Sequence, residues 1–480
     1  MSIYKNALII FILDIFIKAK SFITIPLLIH RYGTADYGLW TQLIILGTML
    51  VPFVILGTDI AFQRYMSGTL LSEQVRIFWA WMRAQVIVGM VLCLLLVSLL
   101  YLNQQNILTL LGTESALFII LLIMFSGFIT NSIRIFFNVR GQIKYLGIFN
   151  TSQSLIYILV VILGFYFDVG LLGLLACVVF SDIFISAITL FCIFTRYGYI
   201  PSNNFPLFRK FLIFGLPLVP AQFLMLGMNY ADRLILPSYV GFSEIGKYAL
   251  AYQASSLLLQ FLLSPFWVLF PSKFAALINN NDLNSADSLY RKSIEALYFI
   301  VAPVAVSLMA LGSSMLNFYS GINFSQSALI MVLVGVGYYF HLLSCFNDVL
   351  LSIHMQQKLT LLSYMIGFGI NLSVNFWLIP DFGIIGAALA TCFGFLSQYL
   401  VTALAVRIYW GGLSFQISYY LKISCMSGVL YLLYRLIDWY ELPDIIGTPA
   451  ALIGGLILYL FLALKFRIFS LQQIKQLVRA

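Results

Sequence analysis

The chain has 480 residues, of which 62% are hydrophobic and only 9% are charged, and its mean hydropathy is +1.00. Soluble domains are about half apolar and about one-quarter charged, so this composition excludes an ordinary water-soluble protein. The formal net charge is +9. Most of that charge is explained by the placement of basic residues described below, and we expect no nucleic-acid partner.

Apolar runs of about 20 residues, the length that a helix needs to cross a bilayer, recur along the whole sequence. Runs such as VIVGMVLCLLLVSLLYL are apolar on all sides, which indicates helices, because the strands of a membrane barrel alternate between polar and apolar residues. The sequence therefore predicts an all-α integral membrane protein of about fourteen transmembrane helices. We place these spans at residues 6–29, 38–60, 78–101, 115–138, 147–167, 170–195, 211–235, 246–270, 294–316, 326–350, 359–379, 383–406, 420–437 and 446–464.

The basic residues predict the orientation of the chain, because Lys and Arg in short loops stay on the cytoplasmic side of a membrane. The predicted segments on one side, including both termini, hold 17 of the 26 Lys and Arg residues, whereas the opposite segments hold only Arg31. We therefore expect both termini to be cytoplasmic and the turn around Gly33 to lie outside. An even number of spans follows from this arrangement.

Residues that build catalytic and metal sites are scarce in the sequence. All six cysteines fall inside predicted spans, without the spacing of metal ligands or of a disulfide framework, and the chain has three histidines. Neither a glycine-rich phosphate loop nor a nucleophile elbow occurs in the sequence. We expect no catalytic residue, no metal and no cofactor. The longest predicted loop, 271–293, is too short for a soluble domain.

Two pairs of similar stretches indicate that the chain is built from related halves. YGTADYGLW at 32–40 resembles VGFSEIGKYALAY at 240–252, 208 residues later, and DVGLLG at 168–173 resembles DFGIIG at 381–386, 213 residues later. Two matches at nearly one offset favour an internal repeat. The predicted domains are an N-terminal six-helix bundle at 1–200, a second six-helix bundle at 201–410, and two extra transmembrane helices with a basic cytoplasmic tail at 411–480.

Three stretches resemble the polysaccharide transporter family. They are the YG…YGLW turn, the run FGLPLVPAQFLMLGMNYADRLILPSYVGFSEIGKYALAYQ from Phe214 to Gln253, and IPDFGIIGAALAT from Ile379 to Thr391. Within that family the chain is similar to the Wzx-type oligosaccharide-lipid (O-antigen) flippases of the multidrug/oligosaccharidyl-lipid/polysaccharide exporter superfamily, over essentially its whole length. The resemblance implies two bundles around a central cavity that opens alternately to either side of the membrane.

The resemblance also implies a substrate, partners and a location. The substrate is a short oligosaccharide on undecaprenyl pyrophosphate, moved for the assembly of O-antigen, in lipopolysaccharide, or another surface polysaccharide. The other implied partners are membrane lipids, a coupling ion, either proton or sodium, and the polysaccharide polymerase machinery. The implied location is the bacterial cytoplasmic (inner) membrane, and the implied activity is that of a secondary transporter rather than an enzyme.

Two other functions are compatible with the composition. A drug or organic-cation exporter of the same superfamily would favour an acidic cavity, whereas the first span of this chain carries lysines. A membrane-embedded polysaccharide polymerase would be expected to expose a substantial outer loop, whereas the predicted outer loops are short. Cavity charge is therefore the feature that separates the flippase from the exporter.

Span one carries charges near its middle, where a charged side chain costs about 2.5 to 3.5 kcal/mol on insertion scales. Asp14, Lys18, Lys20 and Ser21 lie on one broad arc of this helix. We interpret the arc as the cationic wall of a cavity. The alternative is a structural ion pair between Asp14 and Lys18, which would leave Lys20 without a partner. The same charges argue against a cleaved signal peptide, so we expect the run to remain as a span.

Polar side chains on other spans are further candidates for this cavity. Arg134 belongs to a stripe of polar residues at four-residue steps on span four, and the alternative is that it reaches the cytoplasmic interface. Span seven presents Asn229, Asp232 and Arg233 on one face, and span eight presents Gln253.

Two acidic residues are candidates for ion coupling. Asp182 lies near the centre of span six without a basic residue within one turn, so it must be protonated or paired with another helix. One interpretation is a coupling site for a proton or cation, and the other is a pair with Lys18 or Lys20. Asp348, near the end of span ten, is the second candidate for coupling.

Overall fold

The computed structural model describes residues 2–102, 114–200, 205–280, 282–321, 326–353, 356–410, 417–439, 444–466 and 468. For some residues within these ranges only the backbone is described. They are residues 2–19, 99–102, 114, 205–207, 218, 261–269, 271, 272, 275, 276, 279, 353, 410, 438, 439 and 444–446.

Across these ranges the chain forms fourteen α-helices and two short 3-10 turns, without a strand. The helices are α1 Ser2–Ile55, α2 Thr58–Met66, α3 Leu71–Leu102, α4 Glu114–Val139, α5 Ile143–Tyr166, α6 Leu171–Tyr197, α7 Phe205–Gly215, α8 Val219–Ile235, α9 Phe242–Asn279, α10 Leu283–Ser320, α11 Ser327–Ile353, α12 Gln357–Trp410, α13 Ile417–Trp439 and α14 Asp444–Lys465. The 3-10 turns are Leu216–Leu218 and Leu236–Ser238.

Two of the helices are long enough to cross a membrane twice. Both α1 and α12 contain 54 residues, which at about 1.5 Å per residue corresponds to about 80 Å, against about 30 Å for the hydrocarbon core. A glycine outside the helical region interrupts each of them, with φ 84° at Gly33 and φ 52° at Gly383. Each long helix therefore supplies two spans.

The all-α membrane fold expected from the sequence is confirmed. Ten of the described helices are long and apolar enough to cross a membrane, and the bent pair of α7 and α8 makes an eleventh candidate. This count includes α1 and α12 only once each, although each of them is long enough for two spans. The predicted eighth span lies in α9, a helix of 38 residues. All fourteen predicted spans fall on described helices.

The predicted loop at 271–293 is wrong, because helices occupy most of it. Helix α9 continues to Asn279 and α10 begins at Leu283. The Asp282 side chain caps α10 by accepting a hydrogen bond of 3.1 Å from the backbone N–H of Ser285, and the hydrogen bonds from Ser285 hold the pKa of Asp282 below its usual range. The polar residues of this stretch thus begin and end helices instead of forming a loop.

Contacts divide the chain into two compact units. The first comprises Met1–Pro237 with Gly241–Gly246, and the second comprises Ser238–Val240 with Lys247–Ala480. Helices α7 and α8 therefore pack with the first unit, and α13 and α14 belong to the second. The predicted boundaries at 200 and 410 follow the sequence repeat rather than packing, and they stay a prediction.

The repeated motifs pack in the same pairs within each unit. In the first, the Tyr32 hydroxyl donates a hydrogen bond to the carbonyl oxygen of Val169. In the second, a Cβ atom at Gly383 would lie 3.5 Å from Cγ1 of Val240. Tyr32 and Val240 hold the same position in the first pair of motifs, and both contact the second motif of their own unit. The internal similarity of the sequence therefore extends to its packing.

Candidate functional site

The ammonium group of Lys20 lies among polar groups of the first unit. Its Nζ atom is 4.3 Å from the centroid of the Tyr157 ring on α5, a distance at which the negative face of the ring attracts a cation. One turn further along α1, Thr24 donates a 2.8 Å hydrogen bond to the carbonyl oxygen of Lys20. Lys20 is half-buried, whereas Thr24 and Tyr157 are buried. The ammonium group is thus held between α1 and α5.

Arg134 on α4 is fixed by hydrogen bonds to α5. Its Nε donates to Oδ1 of Asn150 at 2.9 Å, and its second terminal nitrogen lies 3.4 Å from Oε1 of Gln153. Gln153 in turn donates to the hydroxyl of Thr130 at 3.2 Å, and the Thr130 hydroxyl lies 3.3 Å from that of Ser186 on α6. These hydrogen bonds connect α4, α5 and α6 around the Arg134 guanidinium. They argue against the alternative that Arg134 extends to the cytoplasmic interface of the membrane.

Asp182 on α6 lies within electrostatic range of both basic residues, Lys20 and Arg134. Its half-buried carboxylate also interacts with Tyr157. In the described part of the chain, Asp182 forms no direct ion pair with either cation. We name Lys20, Arg134 and Asp182 the charged triad. It carries two formal positive charges and one negative charge, so a single positive charge is in excess.

Helices α1, α4, α5 and α6 pack on one another and hold the triad. Three of the predicted residues on three separate helices are therefore brought together. The side chains of Asp14 and Lys18 lie outside the described part of the chain. Ser21, next to Lys20, is half-buried. Asp182 is within electrostatic range of Lys20 without a direct ion pair, so pairing and ion coupling both stay predictions for Asp182.

Asp232 and Arg233 on α8 are 1% and 4% exposed, so they lie inside the protein. Oδ1 of Asp232 accepts a 2.7 Å hydrogen bond from the backbone N–H of Arg233, and the Arg233 guanidinium is within electrostatic range of Tyr37 on α1. Asn229, half-buried, donates to the carbonyl oxygen of Met225 at 2.8 Å. The hydrogen bonds lie within α8, and the Arg233 interaction links α8 to α1.

Gln253 and Asp348 lie in the second unit. Gln253 is half-buried on α9, and its carbonyl oxygen accepts a 3.3 Å hydrogen bond from Ser256. Asp348 on α11 is half-buried beside Thr360 and Tyr364 of α12. It is therefore a polar contact between two helices of the second unit, and its role in ion coupling stays a prediction. Among the described residues, no group of three metal-ligating side chains occurs.

Sequence reasoning missed the polar face of span five. Asn150, Gln153 and Tyr157 follow one another at three- and four-residue steps, which places them on one face of α5. That spacing indicates that the span packs against a polar partner. The identity of the partners, Lys20 and Arg134, could not be predicted, because both residues lie far away in the sequence.

Comparison with known proteins decides the family. The model of the family described as polysaccharide biosynthesis protein matches residues 3–276, more than half of the chain. The chain belongs to the polysaccharide biosynthesis protein family. A probable flippase of Haloferax volcanii, AglR, is 28% identical to this family member over 185 residues, a segment that covers 37% of each chain. The match spans little more than one-third of the relative's length.

Solved structures share the fold of this family member. The lipid II flippase MurJ in an inward closed conformation matches with a TM-score of 0.77 at 16% identity, over 95% of this chain and 98% of that one. An inward-facing multidrug resistance transporter of the MATE family, in the MOP superfamily, matches with a TM-score of 0.60 at 13% identity, over 81% of this chain and 97% of that one. The family member therefore has the fold of these membrane transporters.

Proposed function

We propose that this protein is a flippase that moves undecaprenyl-pyrophosphate-linked oligosaccharide repeat units across the cytoplasmic membrane. Family membership, the relative that is a probable flippase and the fold shared with a lipid II flippase support the proposal. The units serve the assembly of O-antigen or another surface polysaccharide. The protein acts as a transporter by alternating access through a cationic cavity, without a chemical step of its own.

The observation that carries the proposal is the excess positive charge of the charged triad within membrane-spanning helices. A pyrophosphate that leaves water loses favourable free energy of hydration, and attraction to a nearby cation offsets part of that loss. At an effective dielectric constant of about 20, opposite unit charges about 4 Å apart attract each other by about 4 kcal/mol, compared with about 1 kcal/mol in water. In the proposed mechanism Lys20 and Arg134 supply this attraction.

Transport also requires release, which limits how strong the attraction should be. Binding that favours one conformation of the protein too strongly would hold the substrate there. Asp182 lies in range of both cations and reduces their combined field. In the proposed mechanism it keeps the attraction for pyrophosphate moderate, and it or Asp348 takes up the coupling ion, proton or sodium.

An organic-cation exporter is the second candidate, because the fold is also that of a multidrug resistance transporter. Such a substrate carries positive charge and would be repelled by an excess of basic residues. The sign of the triad therefore favours an anionic substrate.

A deletion strain tests the proposed function. Its surface glycan and its lipid-linked repeat units are measured on each side of the cytoplasmic membrane, with the strain complemented by the unchanged gene as control. Loss of surface glycan together with unpolymerised units trapped inside is the expected result. Units that reach the outer leaflet but stay unpolymerised would show a polymerase instead, and unchanged glycan with increased sensitivity to cationic drugs would show an exporter.

A further inference from the structure

Two short helices of the first unit, α2 and α7, lie side by side. They meet at two glycines: a Cβ atom at Gly215 would lie only 2.6 Å from the carbonyl carbon of Gly57, so the backbones are in close contact. Gly57 also has φ 65°, a conformation that favours glycine. The distribution of basic residues predicts that residues 61–77 and 196–210, which include most of α2 and the first half of α7, lie on the cytoplasmic side of the membrane.

Aromatic rings from both helices form one apolar floor. The Tyr65 ring of α2 stacks on Phe211 of α7 with centroids 5.9 Å apart and meets Phe214 edge-on at 5.7 Å. Phe211 is 1% exposed and belongs to the core of the first unit. The floor is therefore anchored in the core, and its position relative to the two helices is fixed.

Basic side chains lie on these rings and not against carboxylates. Nζ of Lys210 is 4.4 Å from the centroid of the Tyr65 ring, and the guanidinium carbon of Arg64 is 4.8 Å from that of Phe214. Both cations and the neighbouring Arg209 are exposed. Within the described ranges, none of the three forms an ion pair or a hydrogen bond to a side chain. Among the described residues, their positive charge is therefore not neutralised by an acidic partner.

Tyr65, Arg209, Lys210, Ile213 and Phe214 line an open cleft of about 370 Å³. Beside the basic residues, the side chain of Ile213 is 66% exposed and that of Leu216 is 49% exposed. The cleft thus combines unneutralised cations with an apolar edge. This combination suits a ligand that carries a phosphate next to hydrocarbon.

We propose that this cleft binds the phosphate headgroup of an acidic glycerophospholipid, with the first part of an acyl chain along Ile213 and Leu216. Arg209 and Lys210 hold the phosphate, and Tyr65 keeps the Lys210 ammonium in place through its ring face. The site is separate from the charged triad, whose residues lie on α1, α4 and α6. It serves to hold α2 and α7 at the membrane surface.

Thermal unfolding of the purified full-length protein in detergent, titrated with dioctanoyl phosphatidylglycerol, tests the site, because a ligand of the folded state raises the unfolding midpoint. We expect a concentration-dependent rise. Arg209→Gln with Lys210→Gln should raise the half-saturating concentration roughly 30-fold, and each single change roughly fivefold, since a basic residue near an anionic lipid surface contributes about a factor of five. The single variants keep the test decisive if the double variant fails to fold.

Two variants serve as matched controls. Lys144→Gln with Lys292→Gln removes two exposed basic residues from other segments that are predicted to be cytoplasmic, and Arg209→Lys with Lys210→Arg keeps both charges; both should bind like the unchanged protein. The same half-saturating concentration in the cleft variants, or an equal effect of dioctanoyl phosphatidylcholine, would overturn the site. An equal effect of inorganic phosphate would assign the cleft to a free anion and overturn the lipid.

Discussion

Lys20 and Tyr157 meet across two helices, with the Lys20 ammonium nitrogen 4.3 Å from the centroid of the tyrosine ring. The phenol ring is buried at 8% exposure, so it offers the cation an apolar surface with a negative face. Such contacts contribute about 0.5–1 kcal/mol when exposed and about 2 kcal/mol when desolvated. The ring therefore positions the charge without neutralising it, as the proposed attraction for a phosphate requires.

This contact predicts different effects of two substitutions at Tyr157. Tyr157→Phe keeps the ring and should retain most glycan export, whereas Tyr157→Leu removes the negative face and should lower export about 3- to 30-fold, the equivalent of about 0.7–2 kcal/mol. Surface glycan per unit of membrane-inserted protein is the measurement. Equal export by the two variants would show that Tyr157 only fills space.

The lysines of span one give a second prediction. Lys18→Ala with Lys20→Ala should leave membrane insertion intact, because removing charge near the middle of a span eases insertion, yet should reduce glycan export at least about tenfold if about 1.4 kcal/mol of attraction is lost. Replacement of both by Arg should retain more activity than replacement by Ala. Membrane level and surface glycan are compared with those of the unchanged protein and of Lys144→Ala. Full export by the double alanine variant at normal abundance would return these lysines to a structural role.

Asp182 gives a third prediction, based on a double-mutant cycle. If the carboxylate mainly balances Lys20, Asp182→Asn and Lys20→Met should each lower the thermal midpoint, and the double variant should be more stable than the sum of the single effects by roughly 1 kcal/mol. Thermal unfolding of the four proteins in detergent measures the coupling. Additive effects, together with transport that no longer depends on pH in Asp182→Asn, would assign Asp182 to ion coupling instead.

The sequence allowed the charges of the triad to be singled out because an uncompensated charge in an apolar run is costly wherever the helix packs. Lys20 and Asp182 were recognised on that ground, and Arg134 was recognised by its place in a polar stripe. Their grouping was not predictable, because it depends on how α1, α4 and α6 face one another. For Asp182, pairing with a lysine of span one was one of two interpretations, and the structure brings Lys20 into range.

The ends of the helices were harder to predict from the sequence than the existence of the spans. Hydropathy detects the part of a helix within the bilayer, but α9 and α10 extend beyond it into polar sequence, where turn-forming residues such as those around Asp282 suggested a loop. At Gly33, where the sequence predicts a turn, α1 has a kink at a single non-helical glycine.

A fourth prediction concerns Gly38, which lies in the first repeated motif. A Cβ atom there would be 3.0 Å from the backbone nitrogen of Gly246 and 3.1 Å from the carbonyl carbon of Phe242. Backbone atoms cannot move aside as a flexible side chain can, so Gly38→Ala should lower stability by about 1–3 kcal/mol through overpacking. Gly369→Ala is the matched control, because no atom lies within 4 Å of the Cβ position there. Thermal midpoints in detergent should fall for the first and stay level for the second; equal midpoints would contradict the close approach.

The last prediction concerns orientation, which rests on the distribution of basic residues. In a variant whose six cysteines are replaced, single cysteines at positions 35, 105, 240 and 442 should react with a membrane-impermeant maleimide added outside intact cells. Cysteines at Ser67 and Lys144, in segments predicted to be cytoplasmic, should react only after the membrane is opened. The two sets differ because moving a loop with several Lys and Arg residues outward opposes the positive-inside preference, whereas the outer segments hold only Arg31. Labelling of the first set only after opening would invert the topology, and with it the assignment of α2 and α7 to the cytoplasmic surface.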